Sequence, residues 1–180
     1  MKNKRLLLII TGSIAAYKIP ELIRLCTQQH IDVRCILTHG GAQFVTPTTL
    51  AALSGNAVYT DIFSLKDETE MGHIRLSREA DLVLVAPATA DSIAKLVHGL
   101  ADDLASTVLL ATDKPVMVAP AMNVRMWEHP ATQRNIKQIQ DDGILLISPT
   151  SGTLACGEEG IGKMVEPADL LAAINRFFAA

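Results

Sequence analysis

Arg5-Leu6-Leu7-Leu8-Ile9-Ile10-Thr11-Gly12-Ser13-Ile14 reads as a strand that passes directly into a helix. Its apolar run is continuous rather than alternating, the pattern expected where both faces of a sheet are covered. Thr11-Gly12-Ser13 closes the run, and a helical pattern over 15–29 begins at once. Four more runs of the same kind lie at 33–37, 82–86, 115–119 and 144–148. Helix-like segments fall at 47–54, 73–80, 91–96, 103–111, 131–140 and 167–178. Strands alternating with helices imply right-handed crossovers and a mostly parallel sheet. The expectation is an α/β chain forming one domain over 1–180, a three-layer Rossmann-like fold with a five- to six-stranded sheet. Pro20 cannot sit unstrained inside a helix, so the first helix either kinks there or starts late, near Ile19.

With 49% hydrophobic and 19% charged residues, the chain can bury a substantial core. A formal charge of −3 without a basic block argues against a nucleic-acid partner. The apolar run 6–10 is too short for a signal peptide, and no segment approaches the roughly 20 residues of a membrane span. A soluble, cytoplasmic protein is expected. Cys26 and Cys35 fall in helix and strand patterns and read as small buried hydrophobes. Cys156 lies among glycines and reads differently. The five histidines have no metal spacing, so no metal site is expected.

In an open parallel sheet the ligand crevice lies beyond the carboxyl ends of the strands. The relevant loops are 11–14, 38–42, 87–92 and 120–127, of which the first three are rich in small and hydroxyl residues. Such a crevice suits a flat neutral group and a phosphate held by backbone amides. Gly12 offers conformational freedom, the helix behind it offers amides, and Ser13 offers a hydroxyl. The segment is not GxGxxG, so a mononucleotide fits better than a dinucleotide. The plainer alternative is a strand-to-helix turn with Ser13 as N-cap.

His73 stands at a helix start, where the dipole favours the neutral imidazole of a base. His30, His39, His98 and His129 read as surface or capping residues. Asn123 offers donors and an acceptor suited to a carboxylate and an amide. Met122, Met126 and Trp127 could wall a flat ring; the plainer reading is a loop capped by Asn123 and anchored by Trp127. Residues 151–164 hold four glycines and read as a functional flap. A thiol within it, Cys156, can donate a proton on closure, unless the loop is merely flexible and the cysteine incidental.

Gly12-Ser13-Ile14-Ala15-Ala16-Tyr17-Lys18, His73, Ala86-Pro87-Ala88-Thr89-Ala90, Pro120-Ala121-Met122-Asn123 with Met126-Trp127, and Ala155-Cys156-Gly157 with Gly160 and Gly162 form one set. Together they resemble the homo-oligomeric flavin-containing Cys decarboxylases over essentially the whole chain. The resemblance implies FMN, with its phosphate near Gly12, Ser13 and Ile14. It implies cofactor contacts from Thr38, Thr89, Ala90, Asp91, Ser92 and Ala121. His73 would be the base, Asn123 would hold the substrate carboxylate, and Cys156 would be the acid. Met126, Ala155 and Lys163 would complete the substrate contacts. Asp91 stands where many members carry Asn, and Lys163 where many bacterial members carry Arg.

The implied reaction is decarboxylation of 4'-phosphopantothenoylcysteine to 4'-phosphopantetheine, a step of coenzyme A biosynthesis. The alternatives are oxidative decarboxylation of a peptidyl cysteine and a non-catalytic FMN-binding regulatory subunit. The resemblance further implies a homotrimer or homododecamer with FMN near subunit boundaries, His73 and Asn123 then belonging to different subunits. Ending at Ala180, the chain is expected to be either stand-alone or a fragment of a bifunctional decarboxylase-synthetase.

Overall fold

Six strands, all parallel, form the central sheet of the protein, in the order β3-β2-β1-β4-β5-β6. The structure, a computed structural model, describes residues 4–61 and 72–180, with the side chains of residues 73 and 74 outside that description. The strands are β1 (Arg5–Ile10), β2 (Asp32–Leu37), β3 (Val58–Tyr59), β4 (Leu82–Ala88), β5 (Val116–Pro120) and β6 (Leu145–Leu146). The helices are α1 (Ile19–Gln28), α2 (Pro47–Ser54), α3 (Gly72–Glu79), α4 (Ala90–His98), α5 (Leu104–Ala111), α6 (Val124–Glu128), α7 (Pro130–Asp141) and α8 (Pro167–Ala179). Two further strands, β7 (Thr150–Thr153) and β8 (Glu159–Lys163), make a separate antiparallel hairpin.

The continuous apolar runs are explained by burial on both faces. Leu6, Leu8 and Ile10 of β1 enter one core with α1 and α8, while Leu7 and Ile9 enter the other with α5 and α7. Every residue of β4 and β5 is buried. The strand order reverses between β1 and β4, which flank each other with Leu6 opposite Leu82. Chain leaving these two strands diverges to opposite faces of the sheet, and a crevice opens at their carboxyl ends.

The first helix resolves the tension at Pro20. Ile14–Lys18 form a 3-10 turn, and α1 begins at Ile19 with the proline in its first turn, where no backbone donor is needed. The expected strands are all present, with a sixth, β3, that pairs Val58 with Cys35 and Tyr59 with Ile36. Two segments expected as loops are ordered. Residues 151–164 form the hairpin, closed by a turn in which the Leu154 amide donates to the Glu158 carbonyl at 2.8 Å. Within 120–127 the short helix α6 begins.

Candidate functional site

Thr11 joins the loops after β1 and β4. Its buried hydroxyl donates to the Pro87 carbonyl at 2.6 Å and accepts from the Thr89 amide at 3.3 Å. Next to it, Gly12 meets Gly40 so closely that a Cβ on Gly12 would lie 3.0 Å from the Gly40 Cα. Gly12 does not adopt a positive φ. The glycine is therefore required by this close approach and not by the backbone freedom that the sequence suggests. Thr38 donates its hydroxyl to the Ile10 carbonyl and accepts from the Gly41 amide, both at 3.1 Å, and so braces the loop carrying Gly40.

Thr89 caps α4 by accepting from the Ser92 amide at 3.2 Å, and the Ser92 hydroxyl returns to the Thr89 carbonyl at 2.9 Å. That leaves the amides of Ala90 and Asp91 in the first turn for an anion. These elements border a cavity of about 460 Å³, lined by Thr11, Gly12, Thr38, Thr89, Asp91 and Ser92 among others. Ile9, Val85, Leu96 and Leu109 give it apolar walls. Lys95 reaches it from α4, held 3.0 Å from Asp102, 3.7 Å from Asp91 and 3.9 Å from Asp103. The hydrogen bond to Asp102 is the main cause that raises the Lys95 ammonium above its ordinary pKa and lowers the Asp102 carboxyl. Asp91 thus faces the cavity already paired with a cation. Ala90 is not in the wall; it contributes as the first residue of the helix.

A second cavity of about 450 Å³ is lined by Ser13, Ile14 and Ala121. Asn123, Ala155, Cys156 and Lys163 also line it, so four predicted site residues distant in sequence are brought together. Ser13 is the N-cap of the 3-10 turn, its oxygen accepting from the Ala15 amide at 3.2 Å. The capping alternative for Ser13 is the one seen, and the residue lines this second cavity rather than the first. Asn123 is likewise an N-cap, of α6, with Oδ1 accepting from the Met126 amide at 2.8 Å. Because the cap consumes the oxygen, the Nδ2 donors are the part of the amide left for a ligand. Met126 lines the first cavity and not the one holding Asn123, the place expected of a wall for a flat ring rather than of the substrate contact that the resemblance implies. It sits one turn along α6 from the cap, which carries it to the other side of Asn123.

The hairpin is docked against the Asn123 loop through its glycines. The Met122 amide donates to the Gly162 carbonyl at 3.0 Å. A Cβ on Gly162 would lie 2.3 Å from the Met122 carbonyl oxygen, and its φ is +145°. Cys156 occupies the exposed turn between β7 and β8, with Sγ 3.7 Å from Glu158 Oε2. Cys26 and Cys35 are buried, as expected, and burial pushes each thiol up to about 12.

His73 is the second residue of α3, and its side chain lies outside the described residues. Sequence reasoning passed over Thr11, Tyr17, Lys18, Thr153 and Met164 as site residues, although all border one cavity or the other. Thr11 carried a usable signal, a hydroxyl immediately after the last residue of a central strand. Lys18 gave none, because a lysine between Tyr17 and Ile19 reads as solvated, yet its side chain is only 4% exposed.

Residues 1–179 match the protein-family model described as Flavoprotein. The coenzyme A biosynthesis bifunctional protein CoaBC of Haemophilus influenzae is 48% identical over 179 residues, covering 99% of this chain and 45% of that protein. The chain thus spans about half the length of the curated relatives it matches. Among solved structures, a cysteine-to-serine mutant of PPC decarboxylase complexed with pantothenoylaminoethenethiol superposes with TM-score 0.88 at 33% identity, covering 99% of this chain and 100% of that one. The FMN binding protein AtHal3 superposes with TM-score 0.84 at 33% identity, covering 99% and 98%. The six-stranded parallel α/β fold found here thus matches both in overall fold.

Proposed function

The chain belongs to the flavoprotein family, and on that premise we propose that it decarboxylates 4'-phosphopantothenoylcysteine to 4'-phosphopantetheine in coenzyme A biosynthesis, using FMN. The observation that carries the proposal is the second cavity, which Asn123 and Cys156 both line, while Gly12, the residue before Ser13 of that cavity, lines the first.

The first cavity fits FMN. Its volume lies within the roughly 300–1,000 Å³ of small-ligand sites, and its walls are apolar where a ring would rest. The contact between Gly12 and Gly40 is a cradle that a single Cβ would fill. Thr38, Thr89, Asp91 and Ser92 would hold the cofactor from one side, with Ser13, Ile14 and Ala121 at the boundary with the substrate. Bound there, FMN supplies the two-electron oxidation of the thiol-bearing carbon and the matching reduction.

An amide nitrogen cannot form a Schiff base, so loss of CO2 needs another electron sink. Oxidation of the thiol-bearing carbon provides one β to the carboxylate. Asn123 Nδ2 donates to the substrate carboxylate and sets the bond to be broken. His73 takes the thiol proton in the first half of the reaction. Cys156 returns a proton to carbon in the second half, after CO2 has left, from a hairpin turn that stands over the cavity. A peptide-cysteine decarboxylase that stops at the enethiol needs no such acid, which favours the complete reaction.

Ile14 and Tyr17, on the loop after β1, are 52% and 60% exposed, and Phe44, after β2, is 45% exposed. Ile14 and Tyr17, large exposed apolar side chains that both line the second cavity, support a subunit boundary there. The assembly proposed is a homotrimer or homododecamer, with His73 and Asn123 contributed by different subunits.

Release of CO2 from phosphopantothenoylcysteine by the purified, FMN-loaded protein, with phosphopantetheine as product, is the test. A protein that cannot be loaded with FMN, or that loads and releases no CO2, rejects the proposal.

A further inference from the structure

Among the described residues lining the second cavity, only Lys18 and Lys163 carry a charge. Both are cations, and they differ sharply in availability. The Lys18 side chain is 4% exposed and its ammonium is committed: it donates to the Met164 carbonyl and to Glu166 Oε1, each at 2.8 Å. It cannot turn to a ligand without leaving two buried bonds unmade. The Lys163 side chain is 40% exposed, and its ammonium lies 3.6 Å from the same Glu166 oxygen, beyond the length of a good hydrogen bond. Its stem runs past Gly152, whose absent side chain leaves the room: a Cβ there would touch Lys163 Cδ at 3.5 Å.

We infer that Lys163 recognises the phosphoryl group of the substrate, and that Glu166 holds the lysine until substrate arrives. The inference rests on the decarboxylase reading and deepens it by assigning the origin of selectivity for a phosphorylated pantothenoyl chain. Lys18 has the complementary part. It neutralises Glu166 permanently, so the carboxylate that parks Lys163 does not repel a dianion entering beside it. In this cluster, two lysines against the one carboxylate of Glu166 leave one positive charge in excess. Exchange of a long, exposed contact with Glu166 for a charge-assisted bond to phosphate favours the loaded state, because the group given up contributes little.

Initial rates of CO2 release from phosphopantothenoylcysteine and from pantothenoylcysteine measure the preference. The wild type should favour the phosphorylated compound by about 10- to 100-fold in kcat/KM, mostly through KM. Lys163→Gln should bring the two compounds to within about threefold of each other, and Lys163→Arg should restore the preference. A Lys163→Gln enzyme that keeps the wild-type ratio overturns the assignment, and so does a wild type indifferent to the phosphate. Turnover of neither compound by the wild type rejects the decarboxylase reading itself, and this assignment with it. If Lys163→Gln loses FMN or fails to fold, competitive inhibition of the wild type by 4'-phosphopantetheine and pantetheine decides instead. Tighter binding of the phosphorylated compound, weakened by added inorganic phosphate, supports the role; equal inhibition overturns it.

Discussion

Gly162→Ala tests whether the hairpin and the Asn123 loop work as one unit. The added methyl would meet the Met122 carbonyl oxygen at 2.3 Å, so the two backbones must part by roughly 0.7 Å to bring that contact even to 3.0 Å. The Met122 amide donates to the Gly162 carbonyl at 3.0 Å across the same gap. Parting by that amount stretches the bond to about 3.7 Å, too long to count as a hydrogen bond. Its loss costs about 1 kcal/mol, and an alanine at φ +145° costs about 1–3 kcal/mol more. The docked hairpin is thus destabilised by about 2–4 kcal/mol, and Asn123 moves relative to Cys156 by a sizeable fraction of an ångström. A shift near 1 Å at reacting groups costs about 100-fold in rate.

The comparison that isolates the cause is Gly157→Ala. That glycine has φ +84° but nothing within 4 Å of an added Cβ, so it carries the backbone cost without the collision. CO2 release at saturating and limiting substrate should show Gly162→Ala far below Gly157→Ala, with FMN content equal in both. Equal activities, or a Gly162→Ala enzyme within about threefold of wild type, refute the coupling of hairpin to loop.

Asn123→Asp keeps an oxygen for the Met126 amide, so α6 and FMN binding should survive while the donors to the substrate carboxylate are lost; kcat/KM should fall at least about 100-fold, and a smaller loss than tenfold removes Asn123 from that role. Cys156→Ser should still release CO2 but accumulate enethiol, and normal yields of phosphopantetheine by chromatography exclude the thiol as the returning acid. A thiol reagent near pH 8 should modify Cys156 alone in the native protein and all three cysteines in denaturant, since burial holds Cys26 and Cys35 up near 12; rapid native reaction of either would contradict their burial. Glu166→Gln should lower Tm most near neutral pH. The hydrogen bond from Lys18 holds the Glu166 carboxyl below its ordinary 4.5, and a depressed carboxyl stabilises above its unfolded value and loses that contribution as pH falls. The gap in Tm should therefore narrow below about pH 4.5, and a gap independent of pH contradicts the ion pair.

What could be read from the sequence was whatever a continuous run of residues determines. Leu6 to Ile10 are buried on both faces and announce it by composition, and Pro47 to Ser54 begin and end where proline and the following glycine require. β3 was illegible because two residues make no run, and Val58 and Tyr59 are strand only by pairing with Cys35 and Ile36. α6 spans five residues, too few for a helical period, and Asn123 alone hinted at its start. The glycines of 151–164 suggested a loose flap, yet Gly160 and Gly162 are there to let β8 lie against Val124 and Met122. The grouping of Asn123, Ala155, Cys156 and Lys163 in one cavity was expected from resemblance, but the assignment of Met126 to the other cavity depended on how α6 turns. Lys18 shows the limit most clearly, since its two partners lie 146 and 148 residues away.

The hairpin leaves and re-enters the body of the protein at one place, where Thr150 pairs with Lys163. A segment whose ends already touch can be lengthened, shortened or exchanged without altering the connectivity of the six parallel strands. Cys156 and Lys163 travel with that segment, whereas Gly12, Thr38 and Thr89 stay behind with the sheet. On the function proposed above, residues that would hold the cofactor and part of the substrate contacts therefore sit on separable pieces of this architecture. Replacing about fourteen residues, from Thr150 to Lys163, would change that piece while leaving the six-stranded sheet as it was.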